Sequence, residues 1–423
     1  MAQTPKTDSM LALRTFTRLK WIGLTILAAA AAAVLPHVVP SARSPQEAPM
    51  SIGPAVGMPG APPTTSSGLK QRIEEMEARL RGAPTDPAAA VLLADALLRQ
   101  ARATNDGRPA GRASQVLNAA LKEHPRQYDV LRLLGATYLS QHRFRQALDV
   151  ARQSRDLRPD DAWNYGVMGD AQIELGDYPQ AFDAFDKMTA LRPSAASYAR
   201  VAYARELRGD MTGALAAMQM AASATAPNDP EAQAWYAVQT GELYLKMHRW
   251  DDADREYRRA IFVFPDYPLA VVGQGKLQVA RGDRDRALAL YLEQLKRTPT
   301  LDLAARIGDL YAERGDAVQS EHYYQLAEDL AGPGVAQTEA NLALFLADHD
   351  RKLPAAVEIA ETVAAARHDI FTEDALAWVY YKAGRFDEAY AASQRALRTG
   401  TRDDALLSRA ARIRTAVQRH GGV

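Results

Sequence analysis

The sequence predicts an all-α protein in which helix pairs stack into a solenoid, and the main reason is a repeated spacing of proline. Pro125, Pro159 and Pro193 lie 34 residues apart, and so do Pro265 and Pro299. A glycine or histidine marks the middle of each unit, and an alanine or serine follows about five residues later. This period, with small residues at fixed places, is typical of helix–turn–helix repeats that bury their apolar faces against one another. We therefore expect about eight or nine helix pairs in a right-handed superhelix.

The middle of each unit is predicted to be the turn between its first helix (helix A) and its second (helix B). Glycine can end helix A in the left-handed conformation, and histidine is one of the few other residues tolerated there. Further glycines, such as Gly169 and Gly241, lie where helix A meets helix B, and aromatic residues such as Tyr257 are expected to fill the space between units. The residues at the turns are His142, Gly176, Gly209, His248, Gly282, Gly315 and Gly384.

Within the units, other residues recur at fixed offsets. The unit at residues 128–161 has Leu134, Gly135, Tyr138 and Ala147 at positions that later units repeat. These patterns resemble the tetratricopeptide repeat (TPR) over residues 85–400. The stretches NLALFLADHDRKLPAAVEIA and DALAWVYYKAGRFDEA resemble a bacterial type of exported repeat protein. The resemblance implies a concave face, lined by helix A, that binds other proteins, and it implies no enzymatic activity.

The start of the array departs from the regular period. Asp86 can cap the first repeat helix, and Pro87 suits its first position. A long loop is expected over residues 105–112. Before the array, residues 68–84 place apolar side chains at helical spacing, and we expect this lead helix to pack on the first repeat rather than to form a coiled coil, because two heptads are too few.

The later part of the array is also irregular. A longer joint at residues 222–230 is expected to bend the superhelix, and Asp229 is expected to cap the helix after it. The register of the repeats stays open near 222–231 and 335–368. Residues 401–423 predict a closing helix with a polar outer face, which the last unit of a solenoid requires. That outer face is predicted from Arg409, Arg412, Arg414 and Arg419.

The N-terminal part predicts export. Residues 1–20 form a basic tail, and residues 21–39 are apolar over a length that just spans a bilayer core of roughly 30 Å. The charge pattern places the tail in the cytoplasm and the rest of the chain in the periplasm. The span is interpreted as an uncleaved anchor in the bacterial inner membrane, and the alternative is a cleaved signal peptide. Residues 40–67, rich in proline and glycine, predict a disordered linker.

Composition excludes several classes of function. The chain has no cysteine, so disulfides, thiolate metal sites and cysteine nucleophiles are excluded. Lys and Arg number 51, as do Asp and Glu, so no overall charge favours nucleic acid, and we expect none to bind. The histidines do not form metal-binding pairs on a helix, and Asp348-His349-Asp350 is the only local cluster that resembles a metal site. We expect no cofactor, no metal and no enzymatic activity, although acids gathered with His349 in one cavity would favour an enzyme.

Helix A offsets predict the residues of the binding groove. With neighbouring helix A residues, the set holds nine acids and four bases, which favours a partner segment that carries Lys or Arg. The alternative is that the acids are a solvated face and the tryptophans belong to the core. The predicted groove residues are Trp163, Asp170, Glu174, Tyr203, Glu206, Trp235, Glu242, Lys276, Asp309, Glu313, Trp378 and Tyr381.

These observations predict a non-enzymatic scaffold tethered to the inner membrane, which binds partner segments during the assembly of envelope complexes. Two alternatives stay open. One is a periplasmic assembly chaperone similar to the repeat subunit of cytochrome c maturation. The other is a structural subunit of a secretion or polysaccharide-export machine.

Overall fold

The computed structural model describes residues 66–104, 108–331 and 340–420, and over these ranges it contains helices and no strand. The predicted tail and membrane span, and the linker up to residue 65, lie outside the described residues. Among the residues described, no helix is long and apolar enough to cross a membrane. The helices are α1 (Ser66–Gly82), α2 (Pro87–Thr104), α3 (Arg108–Glu123), α4 (Tyr128–Ser140), α5 (Phe144–Leu157), α6 (Ala162–Glu174), α7 (Tyr178–Leu191), α8 (Ala195–Leu207), α9 (Met211–Ser223), α10 (Pro230–Lys246), α11 (Trp250–Val263), α12 (Pro268–Arg281), α13 (Arg284–Arg297), α14 (Leu301–Glu313), α15 (Ala317–Leu330), α16 (Ala340–Asp348), α17 (Leu353–Ala366), α18 (Ile370–Lys382), α19 (Phe386–Ala396) and α20 (Asp404–His420).

The fold is an all-helical, TPR-like solenoid in which each helix packs mainly on the next one. Within the described ranges, α2 to α19 form nine helix pairs, α1 precedes them and α20 closes the array. Ile73, Met76 and Leu80 of α1 pack on the core of the first repeats, so this helix is part of the folded body. That packing is the interpretation which the sequence favoured over a coiled coil.

The predicted turn residues adopt the left-handed conformation. The turn glycines have φ values between 76° and 83°, and His142 and His248 have φ values of 57° and 55°. Aspartate follows several of these glycines and caps helix B; for example, the carboxylate of Asp283 accepts the backbone N–H of Arg286 at 3.1 Å. The prediction for these turns is therefore confirmed.

Glycines on helix A lie against aromatic rings of helix B. A Cβ added to Gly241 would come within 2.7 Å of the Tyr257 ring, and a Cβ added to Gly273 of the next unit would come within 2.4 Å of the same ring edge. Tyr257 is completely buried, as is Ala253 one turn before it. Because a side chain on Gly241 would displace this ring, the glycine fixes the close approach of the two helices.

Three details differ from the sequence prediction or refine it. The first turn of α3 begins at Arg108, so residues 108–112 are helical and not part of a long loop. The pair α16 and α17 does form, with a short α16 and with Lys352 at φ 42° before α17. Arg409 does not lie on the outer face of α20, because its guanidinium pairs with the buried carboxylate of Asp374 at 2.9 Å.

Candidate protein-binding groove

Three of the six predicted groove acids are paired with a base from the following unit. The guanidinium of Arg200 binds both carboxylate oxygens of Asp170 at 2.9 and 2.5 Å. Lys246 lies 2.6 Å from Glu206. These pairs join successive repeats along the inner face, so the acids offset neighbouring bases instead of presenting free charge.

Two further acids of the set are also paired with a base, one from the following unit and one from the preceding helix. Lys276 lies 3.0 Å from Glu242, which also accepts a hydrogen bond from the Tyr257 hydroxyl at 3.0 Å. Glu313 pairs with Arg284 of the preceding helix B. The predicted set therefore overestimates the negative charge of the groove, because it leaves out bases such as Arg200, on helix A of the next unit, and Arg284, on a helix B.

The predicted aromatic residues serve packing and hydrogen bonding. Trp163 is half-buried, and its indole N–H donates to the Arg132 carbonyl at 3.3 Å. Trp378 is 5% exposed, and it stacks on the half-buried Tyr381 with ring centroids 4.9 Å apart. Trp235 is half-buried and meets the Tyr236 ring edge-on. The alternative that the tryptophans belong largely to the core fits Trp378 best, and Trp163 and Trp235 keep one accessible edge.

Glu174 has a partner from the far end of the array. The guanidinium of Arg367 lies 2.8 Å from its carboxylate, and the backbone N–H of His368 donates to its carbonyl at 3.1 Å. Burial raises the pKa of Glu174 to about 7, although Arg367 opposes this shift and nearby Asp369 and Asp170 add to it. Tyr203 lies half-buried beside this contact, packed on the cluster that joins the two parts of the chain.

Asp309, the remaining residue of the set, borders an open space between two helices A. A cavity of about 670 Å³ lies between α14 and α16. Asp302, Arg306 and Asp309 line it from α14, and Phe345 and Asp348 line it from α16. Three acids and one arginine therefore face this cavity beside an apolar wall, and the arginine, Arg306, pairs with Asp302 at 2.8 Å, so the acids that line the cavity outnumber its arginine.

His349 and Asp309 form the polar centre of the cavity. The His349 Nε2 lies 3.3 Å from the Asp309 carboxylate, which also accepts the Tyr324 hydroxyl at 3.0 Å. The imidazole lies 4.2 Å from the Tyr324 ring and 4.9 Å from the Phe345 ring, measured between centroids. Burial lowers the pKa of His349 and raises that of Asp309, so the uncharged imidazole is favoured in the contact.

Acids and His349 thus do share one cavity, which is the arrangement that would favour an enzyme. The Asp348 carboxylate, however, accepts the Trp378 indole N–H at 2.6 Å and is held in the unit interface. Over the described ranges, no group of three or more His, Asp or Glu side chains is placed to hold a metal ion. The chemistry of the cavity is that of a binding surface: carboxylates, a neutral imidazole and aromatic rings.

Four bases that pair with helix A acids were not among the predicted groove residues. Arg200 and Arg409 lie about one repeat period after their partners Asp170 and Asp374, so a search for bases at that spacing would have found them. Arg306 pairs with Asp302 on its own helix, and Arg367 carries no such signal, because its partner Glu174 lies in a distant unit.

Comparison with known proteins agrees with this geometry. A model described as "Tetratricopeptide repeat" matches residues 106–162, 167–230 and 238–302. The chain contains tetratricopeptide repeats. TPR arrays are in general non-catalytic scaffolds for protein–protein interaction, built from repeats that stack mainly on their neighbours. No curated protein matches the sequence significantly.

Solved structures show the same fold at low identity. Human IFIT1 in complex with m7Gppp-AAAA is 15% identical with a TM-score of 0.51, over 78% of this chain and 77% of that chain. The APC/C hetero-tetramer Cut9-Hcn1 is 14% identical with a TM-score of 0.49, and it matches 83% of this chain and 60% of that chain. Yeast Tom70 is 14% identical with a TM-score of 0.44, over 84% and 86%. Such likeness shows the fold alone, so the expectation that this TPR chain binds no nucleic acid stays a prediction.

Proposed function

We propose that this protein is a membrane-tethered TPR scaffold that binds a Lys- or Arg-bearing segment of an envelope protein along its inner face. The cavity between α14 and α16 supports this proposal most directly. It is lined by Asp302, Asp309 and Asp348, by a single arginine and by an apolar wall. A basic side chain flanked by apolar residues is complementary to this lining in both charge and polarity.

The cavity also indicates which of the predicted groove residues contact the partner. Asp170, Glu206 and Glu242 are held by bases of the next unit and serve the array itself. Asp302 pairs with Arg306 of its own helix at 2.8 Å and Asp309 lies 3.3 Å from the His349 imidazole, but both acids are about half-exposed and border the open space. We therefore assign partner contact to Asp302 and Asp309, with Trp163, Trp235 and Tyr381 as apolar contacts elsewhere on the inner face.

The tether follows from the sequence. Residues 21–39 suit a single span, with the basic tail in the cytoplasm and the repeat body in the periplasm. Fusions at the C-terminus test this placement. Alkaline phosphatase should be active there and green fluorescent protein should be dark, and the protein should stay with membranes after an alkaline wash. A fluorescent fusion or a fully released protein would contradict the tether.

Neutralising the cavity tests the binding site. Asp302→Asn/Asp309→Asn removes two charges from the cavity, and Asp149→Asn/Asp156→Asn removes two from the exposed face of α5. Affinity capture of the full-length chain from envelope membranes, compared by mass spectrometry, should lose a stoichiometric partner with the first variant only. Equal capture by both folded variants would contradict a partner site in this cavity.

A further inference from the structure

The last units of the array return to the turns of earlier units. Besides the Arg367–Glu174 pair, the backbone N–H of Ile370 donates to the hydroxyl oxygen of Tyr178 at 2.8 Å, in a buried position. The Arg398 guanidinium lies over the Tyr178 ring, 4.9 Å from its centroid. These contacts join the loop before α18 and the end of α19 to the turn between α6 and α7.

The returning chain approaches two turn glycines so closely that neither position has room for a Cβ. A Cβ on Gly176 would lie 2.7 Å from the His368 carbonyl oxygen, and a Cβ on Gly209 would lie 2.7 Å from the Gly400 carbonyl oxygen. A Cβ on Gly315 or Gly384 would meet nothing within 4 Å, although these turns have the same left-handed conformation. Glycine is therefore favoured at positions 176 and 209 for two reasons. The turn needs a positive φ, and the returning chain leaves no room for a Cβ.

Apolar residues from both sides are buried in the contact between the last units and the earlier ones. Ile370 of α18 and Leu406 of α20 are buried in one cluster with Tyr178, Phe182 and Leu207 of the earlier units. Phe371 follows Ile370 but remains 38% exposed, and it lines two cavities of the inner face. One of these cavities shares Asn341 and Leu344 with the cavity between α14 and α16, so the returning chain borders the space that the partner would enter.

The contact differs in kind from the interfaces between successive repeats. Successive helices pack along their whole lengths, whereas the return contact joins turns and helix ends. Charged side chains also meet in the return contact, where the half-buried Glu174 and Arg367 lie beside the buried Asp369. Elements with few apolar contacts open at lower free energy than the elements around them, and domain closure often moves at such joints.

We propose that residues 367–420 form a releasable latch, which closes the solenoid against α6 to α10 and opens to admit a partner segment to the inner face. The admission of a partner rests on the proposed function. The opening itself does not, so each can fail separately.

Because the chain contains no cysteine, two introduced cysteines report the latch directly. Gln180→Cys on α7 and Gln394→Cys on α19 are exposed and lie on the two sides of the contact. Spin labels at these sites of the full-length chain, purified in mild detergent, give a distance distribution by pulsed electron–electron double resonance. The unaltered latch should give one narrow distance.

Matched glycine variants separate the latch from turn strain. Gly176→Ala/Gly209→Ala and Gly315→Ala/Gly384→Ala impose the same left-handed strain on two turns each, and only the first pair meets the returning chain. The first variant should add a longer distance to at least a third of the molecules, and the second should leave the narrow distance unchanged. Identical distributions in the two variants, or a broad distribution in the unaltered chain, would overturn the latch.

Charge exchange provides a second test with its own rescue. Arg367→Glu places three acids together and should open the latch, and Glu174→Arg/Arg367→Glu should restore the short distance. Arg385→Glu is the control, because Arg385 faces Glu361 and Glu388 and takes no part in the contacts with Glu174 or Tyr178. Unchanged distances with Arg367→Glu would contradict the proposal. If the latch opens but envelope capture by the Arg367→Glu variant is unaltered, the latch stands and its role in partner entry is excluded.

Discussion

The backbone N–H of Ile370 donates to the Tyr178 hydroxyl oxygen across 192 residues of sequence. This bond is buried, so neither group exchanges it for water without opening the contact between the last units and α7. A repeat array that normally depends on neighbouring contacts therefore also has a long-range one. The predictions below separate the contribution of this contact from that of the repeats.

Removal of the Tyr178 hydroxyl should weaken the latch locally. Tyr178→Phe leaves the Ile370 N–H buried without an acceptor, which costs about 1–3 kcal/mol. Hydrogen exchange at residues 370–372 should therefore accelerate about tenfold or more, with exchange in α12 and α13 unchanged. Tyr165→Phe is the control, because the Tyr165 hydroxyl bonds the Pro159 carbonyl at an exposed site. Equal protection in both variants would show that the Ile370 bond carries no stability.

The raised pKa of Glu174 predicts a pH dependence with a definite sign. Its pKa rises from 4.5 to about 7 in the folded protein, so the folded state binds this proton more tightly than the unfolded state does. The contribution of this proton to the free energy of unfolding is fully present below about pH 4.5, declines up to about pH 7 and is lost above that. The groups around Glu174 are Asp170, Tyr178, Tyr203, Arg367 and Asp369.

Glu174→Gln should remove this dependence, because an amide cannot bind the proton. The Tm of the variant should match that of the original protein at pH 5 and exceed it at pH 8, by an amount on the order of 3 kcal/mol or less in unfolding free energy. Arg367 keeps Asp369 as its partner at 2.8 Å in this variant. Glu358→Gln on exposed α17 serves as the control. A Tm difference that is the same at both pH values would refute the assignment.

An ion pair between repeats should contribute more to the free energy of unfolding when it is more buried. Asp170→Lys sets two cations against each other where Arg200 is half-buried, and we expect a loss of about 2–3 kcal/mol. Asp285→Lys repels Arg314 at a site where the acid is 91% exposed, and we expect less than about 0.5 kcal/mol. Urea denaturation measures both. Equal losses would mean that the inner-face pairs are ordinary surface charges.

The glycines between helices should respond oppositely to alanine according to their surroundings. A Cβ on Gly275 overlaps the buried Tyr291 ring, so Gly275→Ala should destabilise the protein by about 2 kcal/mol. A Cβ on Gly111 of α3 meets nothing within 4 Å, so Gly111→Ala should stabilise it by about 0.5–1 kcal/mol. Thermal unfolding of the two variants gives opposite shifts, and shifts of the same sign would contradict the packing.

The sequence predicts the repeats well because each depends on local geometry. His142 and Gly176 are predicted to adopt positive φ from the turn alone, and a glycine beside Tyr257 is predicted from the spacing of two helices. The groove was predicted less well, because each acid was considered within its own unit, whereas Arg200 on helix A of the next unit neutralises Asp170. Charge in an array is a property of adjacent units, and it cannot be counted on one helix.

The latch could not be predicted from the sequence. Arg367 and Glu174 lie in units whose separation depends on the accumulated bend of every repeat between them. Small rotations at each interface, including the longer joint before α10, decide whether the last units meet α7 or pass it. No residue type or spacing encodes that sum. The cavity beside Asp309 has the same origin, since α14 and the short α16 enclose it together.

Photo-crosslinking in living cells tests the central claim, that a partner protein binds the inner face between α14 and α16. A benzoylphenylalanine residue at Ala305 lies in the cavity wall, and the same residue at Phe262 lies on the outer face, where Phe262 is 87% exposed. We expect a discrete protein adduct from position 305 that is absent from position 262 and is reduced by Asp302→Asn. No adduct at position 305, or the same adducts at both positions, would contradict a scaffold that binds its partner along this face.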